Sequence, residues 1–166
     1  VCRACISGTI LVLILFYCTA DTAGKVLLRP ENLVYKGAFA YPEGDEWAYS
    51  GHALCYYPDG DTDSGADGCP GSLYAVGHAW EQLTGEISIP SPVNSKTFEE
   101  LPKAAVLQSL TDITDGWIDN CQFDEDCEYR ELAGLVYLPQ HNKIAWNLND
   151  WYNVDGDDQD SLGWSD

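Results

Sequence analysis

The sequence predicts an all-β domain, and three observations carry that expectation. Apolar runs of strand length, rich in Val, Ile, Leu, Tyr and Trp, recur along the chain. Gly, Pro and Asp punctuate them, and helical periodicity is weak throughout. The runs fall at 33–41, 51–57, 72–77, 85–89, 106–113, 134–138 and 143–148. Their β-branched and aromatic side chains suit a pleated, half-buried surface. Turn formers separate them: Pro42-Glu43-Gly44, Pro58-Asp59-Gly60, Gly68-Cys69-Pro70-Gly71, Pro90-Ser91-Pro92 and Pro139-Gln140-His141-Asn142. Only 98–110 has room for a helical turn or two, starting near Thr97 with Glu99 and Glu100 in its first turn.

The chain has 166 residues, the size of one domain. It holds 6 Trp and 10 Tyr, and rings of that bulk need a packed interior or a binding face, which argues against disorder. The formal net charge is −19. Such a surface repels phosphate backbones and anionic headgroups, so nucleic acid is excluded as a partner, while cations remain compatible.

Residues 1–20 contain Arg3 and no acid, followed by the apolar run 10–17 (ILVLILFY) and then Cys18-Thr19-Ala20. A spanning helix needs ~20 apolar residues, so stable membrane insertion is not expected. A basic start, a short apolar stretch and small residues form the layout of a secretory signal, with cleavage before Asp21. The expected division is a signal peptide over 1–20 and a β-rich domain over 21–166; the alternative is a membrane anchor through 6–17. Cys2, Cys5 and Cys18 would leave with the signal. Cys55, Cys69, Cys121 and Cys127 would remain, an even number in an oxidising compartment, which reads as disulfides. Three connectivities are open; Cys55–Cys69 with Cys121–Cys127 is preferred because each closes a short polar loop.

The run Gly51-His52-Ala53-Leu54-Cys55-Tyr56-Tyr57-Pro58-Asp59-Gly60-Asp61 is followed by Ala66-Asp67-Gly68-Cys69-Pro70-Gly71-Ser72-Leu73-Tyr74. Gly77-His78 and Gly85-Glu86-Ile87-Ser88-Ile89-Pro90 come next. In these landmarks the chain resembles the opening of a family of uncharacterised, exported bacterial proteins of β-propeller-like build. The resemblance spans roughly 36–148. It departs at Ala79, where the family usually carries an acid, and at Cys69, where an aromatic is usual. It implies antiparallel blades and an extracellular or periplasmic location, and no activity. On that reading 33–41, 51–57, 72–77 and 85–89 form one blade and the later runs begin a second. Propellers need four or more blades, so the expectation is an incomplete propeller, the front of a longer chain, with a small β-sandwich as the alternative.

Chemistry-bearing residues are few. Asp59, Asp61, Asp63 and Asp67 alternate along one loop, where carboxylates can converge on a hard cation such as Ca2+. Gly65 falls one place late for an EF-hand, and Pro70 stands where the closing Glu belongs. His52 and His78 each follow a Gly beside a strand and can face a ligand or make structural hydrogen bonds. Trp146 and Trp151, among Asn and Asp side chains, can stack on sugars or fill a core. No nucleophile elbow is present. The expectation is an extracellular binding or structural module, calcium-stabilised, with a glycan as the partner; the alternative is an exported polysaccharide lyase or hydrolase. If the 59–67 loop holds calcium, EDTA will lower the melting temperature by several degrees and added Ca2+ will restore it, as read by circular dichroism.

Overall fold

The computed structural model describes residues 29–61, 68–118, 130–150 and 161–165. Internal contacts divide the chain into a unit of residues 1–34 and a unit of residues 35–166. In the first unit a 3-10 turn, Pro30–Asn32, is closed by the Arg29 N–H donating to Asn32 Oδ1 at 3.1 Å.

The second unit is all-β among the described residues. Four strands, β1 (Leu54–Tyr57), β2 (Gly68–Val76), β3 (Thr84–Pro90) and β4 (Val106–Thr111), form one sheet in that order. Three more, β5 (Arg130–Leu138), β6 (Lys143–Asp150) and β7 (Leu162–Ser165), form a second. Every neighbouring pair is antiparallel.

Successive side chains of a strand point to opposite faces, and β2 uses both. Leu73 and Ala75 face Ile87, Ala104 and Trp47, with Phe39, Tyr41 and Leu110 packed around them. Val76 faces the other way, into a cluster with Ala53, Ile118, Leu132, Trp146 and Leu148 that joins the two sheets. Ala75 and Val76 are adjacent and both 0% exposed. The first sheet is therefore covered on both faces where β2 crosses its middle, by the non-strand segment around Trp47 on one side and by β5 and β6 on the other.

One expected strand needs correction. The run 33–41 is not a strand: Leu33, Val34 and Tyr35 are 67%, 71% and 66% exposed. Only isolated bridges occur there, Ala38 antiparallel to Val93 and Ala40 parallel to Lys103. Gly37, at φ +135°, takes the backbone out of the extended region. The four-stranded sheet consequently begins at β1 and takes its last strand from 106–111, which shifts the expected blade by one strand. The stretch 98–110 holds a helical turn where the sequence leaves room for one, a 3-10 turn Phe98–Glu100 following Thr97, and then β4 within the run 106–113. The apolar spacing of Val106, Leu107 and Leu110 is that of a strand's two faces, with Leu110 turned inward.

The expected Cys55–Cys69 bridge is not formed: both are free thiols. Register explains this. Cys55 lies opposite Tyr74, and Cys69 sits five residues earlier on β2. That separation is roughly 10–15 Å even allowing for the bulge before Ser72, whereas a disulfide needs Cα atoms within ~7 Å. Cys121 and Cys127 lie outside the described residues. Cys55 is buried beneath aromatic rings; Tyr57 stands 5.2 Å from Tyr74 and 4.7 Å from Tyr137 between ring centroids. Burial pushes the Cys55 thiol up to about 11, against a smaller lowering by a backbone hydrogen bond at Tyr137.

Two measurements check this architecture. Leu132→Ala, which empties a site with 0% exposure at the junction of the sheets, should cost about 2–5 kcal/mol in urea unfolding. Only a thiolate alkylates, so iodoacetamide at pH 8 without reductant should modify Cys69 and leave Cys55 untouched. Cys55 should react only as pH approaches 11, or after unfolding. If both cysteines resist until a reductant is added and peptide mapping finds them in one disulfide, the register is wrong.

Candidate functional site

Two loops at one end of the first sheet enclose a cleft of about 490 Å³. One wall is the turn Asp45–Trp47 and the residues after it. Trp47 is 4% exposed and inserts into the core with Ala75 and Ile87, its ring 5.9 Å from Tyr41. That anchor fixes the turn and leaves Asp45, Glu46 and Tyr49 at the surface. The other wall is the β2–β3 connection, His78 to Gln82. The walls are bonded directly, since the His78 N–H donates to the Glu46 carbonyl at 2.7 Å. Gly77 permits the approach: a Cβ there would lie 2.7 Å from that same oxygen.

The rings in the cleft are ordered around His78. Tyr49 meets it edge-on at 5.7 Å, and Trp80 meets it edge-on at 5.6 Å. The Trp80 backbone N–H donates to His78 Nδ1 at 3.1 Å, so Nε2 carries the ring N–H. Tyr49 is 82% and Trp80 74% exposed, large rings presented to solvent. Glu81 joins Asp45 and Glu46 on the lining, giving three carboxylates.

Both walls are strained and both are latched to the start of β5. Tyr49 and Gln82 each adopt φ +53°, a left-handed conformation that costs a bulky L-residue of order 1–3 kcal/mol. Gln82 is 2% exposed; its amide donates to the Ala79 carbonyl and accepts the Leu132 N–H at 2.7 Å. Removing that acceptor would strand a buried N–H at a cost of about 1–3 kcal/mol. On the opposite wall, His52 Nε2 donates to the Tyr49 carbonyl at 3.1 Å, and Nδ1 lies 3.3 Å from Glu131 Oε2. Gly51, at φ +105°, turns the chain so that His52 can reach both.

Of the two histidines singled out from the sequence, only His78 lines the cleft. His78 meets the cleft's aromatic rings edge-on, and His52 braces the loop that carries Tyr49. The other candidates do not join them. Asp59 is exposed and Asp61 partly exposed on the β1–β2 connection; Asp63 and Asp67 lie outside the described residues, as does Trp151. Among the described residues, no group of three or more His, Cys, Asp or Glu side chains has the geometry to hold a metal ion. Trp146 is 8% exposed and belongs to the core, because its place on β6 opposite Leu135 turns the ring towards the first sheet.

Tyr49, Trp80, Gln82 and Glu131 escape a sequence reading. A lone aromatic in the polar turn His78-Ala79-Trp80-Glu81 is the one legible hint, since a ring between polar residues in a hairpin connection has little core to fill. Among the described residues no helix is long and apolar enough to cross a membrane; the run 10–17 lies outside them. Comparison with family models, with curated proteins and with solved structures finds no match for this chain.

Proposed function

We propose that this chain is an extracellular, β-propeller-like binding module whose ligand seat is the cleft between Tyr49 and Trp80. The observation that carries the reading is the pair of exposed rings on loops that are strained and doubly latched. Left-handed Tyr and Gln backbones persist only where the surroundings over-determine them, and such places cluster at ligand clamps. Exposed rings beside carboxylates suit a sugar: the C–H face of the ring stacks on the aromatic, and the hydroxyls donate to the carboxylates. Export is supported by the layout of residues 1–20. The propeller-like reading is supported by the up-and-down order of β1 to β4 followed by a second meander, the plan of consecutive blades. Calcium at Asp59, Asp61, Asp63 and Asp67 would brace the connection between β1 and β2.

A glycan array probed with the exported chain tests this. Binding without release of sugar is expected. Trp80→Ala should weaken it about tenfold or more while changing stability by no more than about 0.5 kcal/mol, as an exposed side chain should. Sugar released from the array would make the protein an exported hydrolase or lyase. Binding that ignores Trp80 would remove the cleft from the account.

A further inference from the structure

We infer that the ligand taken by this cleft carries an organic ammonium group, as in a free amino sugar. The inference rests on the reading of the cleft as the ligand seat and adds the ligand's charge.

The lining is chemically one-sided. Asp45, Glu46 and Glu81 are all exposed carboxylates, and neither Lys nor Arg contributes to the cleft. Ionised carboxylates only accept hydrogen bonds, and an ammonium only donates them. A neutral sugar hydroxyl must both donate and accept, so three acceptor-only groups serve it less well than they serve a cation. The rings add a second attraction of the same sign. Tyr49 and Trp80 are exposed and each meets His78 edge-on, and aromatic faces attract cations through their quadrupole, Trp most strongly. Aromatic rings form the usual cage for ammonium ligands. The rest of the chain points the same way: a net charge of −19 raises the concentration of cations near any concave part of the surface. A bare metal ion is a poorer fit, because the three carboxylates lack the geometry of a metal site.

Isothermal titration of the full chain at low salt, with matched pairs of probes, separates charge from shape. The pairs are glucosamine against N-acetylglucosamine, and choline against its neutral isostere with carbon in place of nitrogen. Glucosamine is expected to bind at least about tenfold more tightly than its acetylated partner, and choline similarly against its isostere. Physiological salt should weaken both cations several-fold. Trp80→Ala should abolish the heat, and Glu81→Gln should weaken the cations while leaving the thermal melt in place. If choline binds and glucosamine does not, the charge is right and the sugar is wrong. If the acetylated sugar binds as tightly as glucosamine, the cleft remains a sugar seat and the charge inference falls. If no probe binds, or cation binding ignores Trp80, both readings fall.

Discussion

The organising constraint of this protein is that β2, in the middle of its first sheet, must be covered on both faces. Ala75 and Val76 are neighbours on β2, point in opposite directions and are both completely buried. A strand of that kind cannot sit at the surface of a one-layer sheet; something apolar has to lie against each side. On one side the cover is Trp47, with Phe39 and Tyr41, from a segment that is not itself a strand. On the other it is Leu132, Trp146 and Leu148 from the second sheet. Small residues such as Ala53, Ala75 and Ala104 let those large rings approach closely, as close-packed interiors demand.

The cleft follows from this double cover. Trp47 enters the core from one wall, which drags the acidic turn beside it into a fixed position. Leu132 enters the opposite core from the start of β5, and its backbone N–H is the group that Gln82 must satisfy. Glu131, one residue earlier, lies 3.3 Å from Nδ1 of the His52 ring that holds Tyr49, an ion pair when that ring is protonated. Both walls are thus referred to the same short stretch of β5, and a buried backbone donor is too costly to leave unpaired for that stretch to drift. Positions strained at Tyr49 and Gln82 are held by these bonds, and the exposed rings between them are presented in a set geometry. On the proposed reading, a preorganised cleft of this kind would lose little conformational entropy when a ligand arrives.

Charge works at a longer range. With 27 acidic residues against 8 Lys and Arg, the chain repels its own kind and attracts cations from solution. Where a cation does meet the surface acids, the contact is local: Lys103 pairs with Glu43, holding that exposed carboxyl below its usual range. The cleft is lined by Asp45, Glu46 and Glu81 and by no Lys or Arg.

Much of the fold was legible because strand signals are local. The runs at 51–57, 72–77, 85–89, 134–138 and 143–148 each contain or overlap a strand, since alternating apolar residues bounded by Gly and Pro need no distant partner to be recognised. The same local grammar misled at 33–41, where Leu33, Val34 and Tyr35 look like a strand and lie exposed. It also missed Leu162–Ser165, too short to announce itself without β6 beside it. The candidate site was legible only at its two Gly-His pairs. The sequence by itself determined an acidic, aromatic-rich, all-β chain, because charge and alternation are sums over residues and neighbours. Only the tertiary structure decided that Cys55 and Cys69 stand apart, that Trp146 is core, and that Tyr49, His78 and Trp80 share a cleft. Those outcomes depend on register and on which loop a distant strand pins, and neither is written in the spacing of residues along the chain.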